Sequence, residues 1–169
     1  MVPQTIDFET LTLKDALDLA VLIEEEARDR YVELAGQMRM QHTAAAATFF
    51  ERMTRVEEGH RTELLEKRRQ LFGDAPSQVT HAMLADVEAP HVIDGRIELS
   101  LRQALEFALR AEEKAKDFFE RALISVKSPD VRGFFSALRE EEVEHRQWVL
   151  TELSLIAPEL PHYEARPTA

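Results

Sequence analysis

The chain has 169 residues, the length of one domain, with 44% hydrophobic residues, 32 acidic against 21 basic residues, and no cysteine. That apolar share supports a sizeable core and argues against a disordered chain, while the net charge of −11 argues against nucleic acid and anionic membrane surfaces as partners. Without Cys, disulfides, thiolate zinc sites, thiolate-held iron–sulfur clusters and rubredoxin-type iron are excluded.

Met1–Thr10 has neither the basic nor the apolar segment of a signal peptide, and no apolar run of about 18 residues follows to span a bilayer, so a cytoplasmic location is expected. Apolar residues then recur at helical spacing through most of the chain, with Pro and Gly kept to the gaps. A first helix is predicted over 12–39, opened by Thr12 as N-cap. A second is predicted over 43–72, running through Ala44–Ala47 and stopping before Gly73-Asp74-Ala75-Pro76. A connection of roughly 27 residues, with Pro76, Pro90 and Gly95, fills 73–99. Ser100 and Gln103 read as a capping box for a third helix over 100–125. Ser128-Pro129, an N-cap followed by Pro at the first helical position, opens a fourth helix over 128–157. The tail 158–169, with three Pro, is expected to be loose. Short, long and short connections describe two antiparallel hairpins joined by a crossover, an all-α four-helix bundle occupying 1–157. The 73–99 crossover either stays on its own bundle or swaps with a neighbour's.

The two halves resemble each other. Thr12-Leu13-Lys14-Asp15-Ala16-Leu17 aligns with Ser100-Leu101-Arg102-Gln103-Ala104-Leu105 at an offset of 88, and the register continues through Ala20/Ala108, Glu24/Glu112, Ala27/Ala115 and Asp29/Asp117. Helices 2 and 4 align at an offset of 85: Phe49-Phe50 with Phe134-Phe135, Glu57 with Glu142, His60-Arg61 with His145-Arg146. The three-residue difference falls in the hairpin turns, where insertions are tolerated. Each half thus supplies one mid-helix Glu and, on the next helix, Glu-x-x-His, whose members share a helix face.

Hairpin geometry tests whether these groups meet. In an antiparallel hairpin, Glu24 and Glu57 reach equal height when the turn centres between residues 40 and 41, where the turn is predicted. For Glu112 and Glu142 the midpoint is Lys127, inside the second predicted turn. With a rise of 1.5 Å per residue, both pairs lie about 23–25 Å from their turns, near mid-bundle. Four buried carboxylates without cations would be forced to protonate. Two divalent cations cancel their charge, and one imidazole for each cation completes the set. Carboxylate-rich ligation of this kind suits Fe(II) or Mn(II) and leaves positions for water, O₂ or peroxide. Glu24, Glu57, His60, Glu112, Glu142 and His145 are therefore the candidate ligands of two metal ions.

Other residues receive simpler readings. Glu58, Glu141 and Glu144 are expected to be solvated, and His42, His81, His91 and His162 fall in loops or ends and receive no role. Tyr31, two turns after Glu24 on the same face, is a candidate donor to a ligand carboxylate or else a core residue. Phe49, Phe50, Phe118, Phe119, Phe134 and Phe135 read as core, Trp148 as packing, and Ala27 and Ala115 either as helix formers or as room for a diatomic ligand.

Glu24-Glu25-Glu26-Ala27-Arg28-Asp29-Arg30-Tyr31 resembles the first-helix signature of rubrerythrins, Glu-x-x-Ala-Arg-x-Arg-Tyr. Glu57-Glu58-Gly59-His60 and Glu142-Val143-Glu144-His145 resemble that family's two Glu-x-x-His pairs, and Glu112-Glu113-Lys114-Ala115 with Phe118-Phe119 resembles its third-helix motif. The likeness spans about residues 10–157 and implies a ferritin-like four-helix bundle. It implies that Glu57 and Glu142 bridge two irons, that Glu24 and Glu112 are terminal, and that the protein is a homodimer that reduces hydrogen peroxide or oxidises Fe(II). Two departures stand out: Ala115 replaces the second Glu that rubrerythrins carry three residues after the third-helix ligand, and a chain without Cys holds no rubredoxin-type donor. Electrons would then come from a separate donor protein. The expected function is a redox enzyme acting on hydrogen peroxide or O₂, the alternatives being a ferroxidase that handles iron and a metal-free helical interaction module.

Overall fold

The computed structural model describes residues 6–40, 44–84 and 99–156. Four helices account for most of them: α1 (Leu13–Met40), α2 (Ala44–Phe72), α3 (Leu101–Ser125) and α4 (Pro129–Ser154), with a 3₁₀ turn at His81–Leu84 in the long connection. The helix ends follow local chemistry. Thr12 accepts Asp15 N–H at 3.2 Å, and at Ser100 the capping box closes in both directions, at 3.2 Å and 2.8 Å. Ser128 accepts Val131 N–H, with Pro129 at the first helical position. Gly73 ends α2 at φ 56°, a left-handed conformation suited to glycine, and its carbonyl accepts from Arg68 at 2.7 Å.

α1 lies chiefly against α2, and α3 against α4, giving the all-α bundle of two hairpins. Lys127 sits in the second turn, between α3 and α4. The centre of the first turn, beyond Met40, lies outside the described residues, as do 85–98 of the crossover, the tail from 157, and His42, His91 and His162. Among the described residues no helix is long and apolar enough to cross a membrane.

The apolar core is divided in two along the bundle. One cluster joins Leu17, Ile23, Leu64, Phe118, Phe119, Val131, Phe135 and Leu138. The other joins Tyr31, Leu34, Met38, Phe50, Met53, Leu105, Ala108 and Val149. On each helix the candidate Glu falls between a residue of one cluster and a residue of the other: 23 and 31 flank 24, 53 and 64 flank 57, 108 and 118 flank 112, and 138 and 149 flank 142. The polar level is thus sealed above and below by close-packed apolar layers. Within them Phe118, Phe119 and Phe135 make mutual edge and tilted contacts, while Tyr31 stacks on Phe50 at 6.1 Å.

Candidate metal centre

The six residues singled out by the repeat meet at this level. Glu24, Glu57, Glu112, Glu142 and His145 are each 1–5% exposed. His145 Nδ1 lies 3.2 Å from Glu57 Oε1, 3.5 Å from Glu112 Oε2 and 3.8 Å from Glu142 Oε2. His60 Nδ1 lies 3.7 Å from Glu24 Oε2 and 3.9 Å from Glu57 Oε2. The two imidazoles stack face to face, with centroids 5.2 Å apart and planes 10° from parallel.

These atoms converge without bonding one another. Glu24 Oε2, Glu57 Oε1, His60 Nδ1 and His145 Nδ1 are all buried and lack hydrogen-bond partners among the described residues. Unpaired buried polar atoms are costly and rare in native proteins. The charge tells the same story, because among the described residues the four carboxylates meet only the two histidines as cationic partners within 4 Å. Burial, reinforced by the neighbouring carboxylates, pushes Glu57 and Glu142 well above the ordinary carboxylate range. Burial opposes charge on His145 and on Glu112 as well. There the pairing wins: the surrounding carboxylates drive His145 up to about 12, and His145 with the Tyr31 hydroxyl holds Glu112 down. His60 is raised by Glu24 against a smaller opposing effect of burial. Without metal, protons therefore supply the missing positive charge, as expected of ligands lacking their cations.

The donor set fits two metal ions. Single ligand atoms of Glu112, Glu142 and His145 lie within 4.8 Å of one another, as do those of Glu24, His60 and Glu141, and those of Glu57, His60 and His145. Glu57 spans both positions, with one oxygen toward each histidine. The resemblance gave Glu142 the same bridging role, but its close approach here is to His145.

Three neighbours refine the sequence reading. Tyr31 is fully buried and its hydroxyl donates to Glu112 Oε1, so it supports a carboxylate of the opposite half and not Glu24 on its own helix. Glu141, expected to be solvated, is half-buried, with Oε2 3.9 Å from His60 Nδ1. Its spacing of four residues before His145 was the available signal, since that places both on one face of α4. Glu58 is pinned by Arg61 at 2.8 Å and Arg28 at 3.1 Å, which together hold it down to about 2. Glu144 is exposed, as expected. Trp148 packs on His145 at 5.2 Å between ring centroids. His81, in the 3₁₀ turn, contacts Glu26 at 2.9 Å.

The two ends of the site differ in exposure. The His145 side chain is 3% exposed and that of His60 is 26%. A cleft of about 190 Å³ reaches His60 between Glu63, Leu64, Lys67, Phe134 and Glu141.

Comparison with known proteins agrees with the four-helix fold. The chain is 26% identical to a conserved protein from Magnetospirillum magnetotacticum MS-1, with a TM-score of 0.73 over 89% of this chain and 99% of that one. A hypothetical protein from Pyrococcus furiosus shares the fold at 21% identity and a TM-score of 0.57, over 86% and 90% of the two chains. No curated protein matches. The Rubrerythrin family model matches residues 15–153, all four helices and the whole carboxylate–histidine level. The chain therefore belongs to the rubrerythrin family.

Proposed function

We propose that this protein is a di-iron redox protein that reduces hydrogen peroxide or O₂ with electrons from an external donor. One observation carries the reading. Glu57, 1% exposed, directs its two oxygens at two histidines, within a group of buried ligand atoms that have no partners among themselves. Two bound Fe(II) ions would supply electrons and polarise an O–O bond. Glu24, Glu57 and His60 would hold one ion, and Glu57, Glu112, Glu142 and His145 the other.

The remaining work falls to the chain. The apolar layers on either side hold water back from the carboxylate level except at the His60 cleft, so charge there depends chiefly on the partners that the ligands find. Tyr31 fixes Glu112 through its hydroxyl and leaves the other carboxylate oxygen facing His145. The cleft at His60 gives a small oxidant access from one side. The same opening favours a second reading, ferroxidase activity, in which Fe(II) enters and oxidised iron leaves by that route.

Anaerobic loading with Fe(II), followed by hydrogen peroxide and an excess of a reductant, separates the two. A peroxidase consumes many equivalents of peroxide and keeps its iron through gel filtration. A ferroxidase consumes Fe(II) in proportion to oxidant and releases it. A chain that takes up neither iron nor manganese refutes both and leaves a helical interaction module.

A further inference from the structure

We propose that Glu141 is a fifth carboxylate ligand, holding the cation on the His60 side, so that the two metal positions are built unequal. This rests on the dinuclear reading above. On α4, Glu141 precedes His145 by one turn and stands at the edge of the inward face, its side chain 43% exposed. It crosses between hairpins to bring Oε2 to 3.9 Å from His60 Nδ1 on α2. Glu24 approaches the same nitrogen from α1, at 3.7 Å, with an oxygen that has no hydrogen-bond partner although its side chain is 97% buried. Ligand atoms of Glu24, His60 and Glu141 fall within 4.8 Å of one another. Ligands about 2.0–2.2 Å from one small divalent ion are spaced up to about twice that distance, so the three can close on a single ion.

The internal repeat makes the asymmetry plain. At the offset of 85, Glu141 corresponds to Val56, so the His145 side gains no equivalent carboxylate. At the offset of 88, Tyr31 corresponds to Phe119, so only Glu112 of the two terminal carboxylates has this tyrosine as donor. One position is thus sealed and hydrogen-bonded, and the other lies open to the cleft with an additional negative charge at its mouth. Four carboxylates already neutralise two divalent ions. A fifth, on one side alone, strengthens cation binding there.

The test is Mn(II) binding to the full chain, read as free Mn(II) by electron paramagnetic resonance, with a structure of the Mn(II)-loaded protein as a second measurement. Wild type should bind two ions. Losing a group that merely supports a ligand already weakens metal binding about 10–100-fold, so Glu141→Ala should weaken one position by at least about tenfold and spare the other. Glu144→Ala, which removes an exposed charge on the same helix, should spare both. In the loaded wild-type structure a Glu141 oxygen should contact the ion on the His60 side. Two unchanged affinities in Glu141→Ala, or a Glu141 turned away from both ions, overturns the proposal and leaves the dinuclear reading standing. Wild type that binds no Mn(II) and no Fe(II) overturns both.

Discussion

Glu57→Gln should make the metal-free protein more stable while removing its response to metal. Glu57 is 1% exposed, and burial together with Glu112, Glu24 and Glu142 raises its pKa well above the ordinary 4.5, against the opposing pull of His145. The folded, metal-free chain therefore holds a proton on Glu57 to higher pH than the unfolded chain does. Keeping a carboxyl of ordinary pKa 4.5 protonated at pH 7 costs at most about 3 kcal/mol, at 1.36 kcal/mol per pH unit. Glutamine has the shape of the protonated acid and carries none of that cost. For a chain of this length, 1 kcal/mol moves the melting temperature by about 2–4 °C, so the gain is at most about 6–12 °C. The assay is thermal unfolding followed by circular dichroism in EDTA and in Mn(II) or Fe(II). Wild type should gain stability when metal is added, by about 4 kcal/mol at a thousandfold excess over Kd. Glu57→Gln should start higher and gain much less. Glu58→Gln, which breaks a partly buried pair with Arg61 and Arg28, should start slightly lower and keep the full metal response. A Glu57→Gln protein that melts below wild type in EDTA, and still rises with metal as wild type does, would refute the reasoning.

Two further outcomes follow from the same site. In EDTA, stability should fall as pH rises from about 5 to 8. Glu57 and Glu142 are raised from 4.5 and bind extra protons in the folded chain above that pH, and His145, raised from 6.5 to about 12, does so above 6.5, so the slope is negative, up to about 1.4 kcal/mol per pH unit for each group within its window. Saturating Mn(II) displaces those protons and should flatten or reverse the slope in urea titrations, whereas a slope unaffected by metal would count against the site. Tyr31→Phe removes the hydroxyl that donates to Glu112, and should cost about 0.5–1.5 kcal/mol and weaken Mn(II) binding by about 10–100-fold. Unchanged Mn(II) binding would make Tyr31 a core residue alone.

The helices and the height of the ligands were legible because both are local properties. Thr12, Ser100 and Ser128-Pro129 mark where the helices open, and Gly73 follows the last residue of α2, through backbone chemistry within a few residues of each end. A constant rise per residue then makes the level of Glu24 and Glu57, or of Glu112 and Glu142, a matter of counting from the turn. The repeat supplied the rest, because a Glu and a Glu-x-x-His that recur in register stand apart from the many other acidic residues of the chain.

Side-chain direction across the bundle is another matter. Helical spacing assigns Tyr31 to the face of Glu24, yet its hydroxyl reaches Glu112 on the opposite hairpin. Spacing equally allowed Glu141 to be a solvated charge, and the approach of α4 to α2 brings it to His60 instead. The difference between a sealed His145 and a partly open His60 has no counterpart in two Glu-x-x-His motifs that read alike. A sequence sets each residue's angle about its own helix axis. The rotation and closeness of one helix against another depend on how the whole set of core side chains packs, and that non-local sum decides which carboxylate meets which partner.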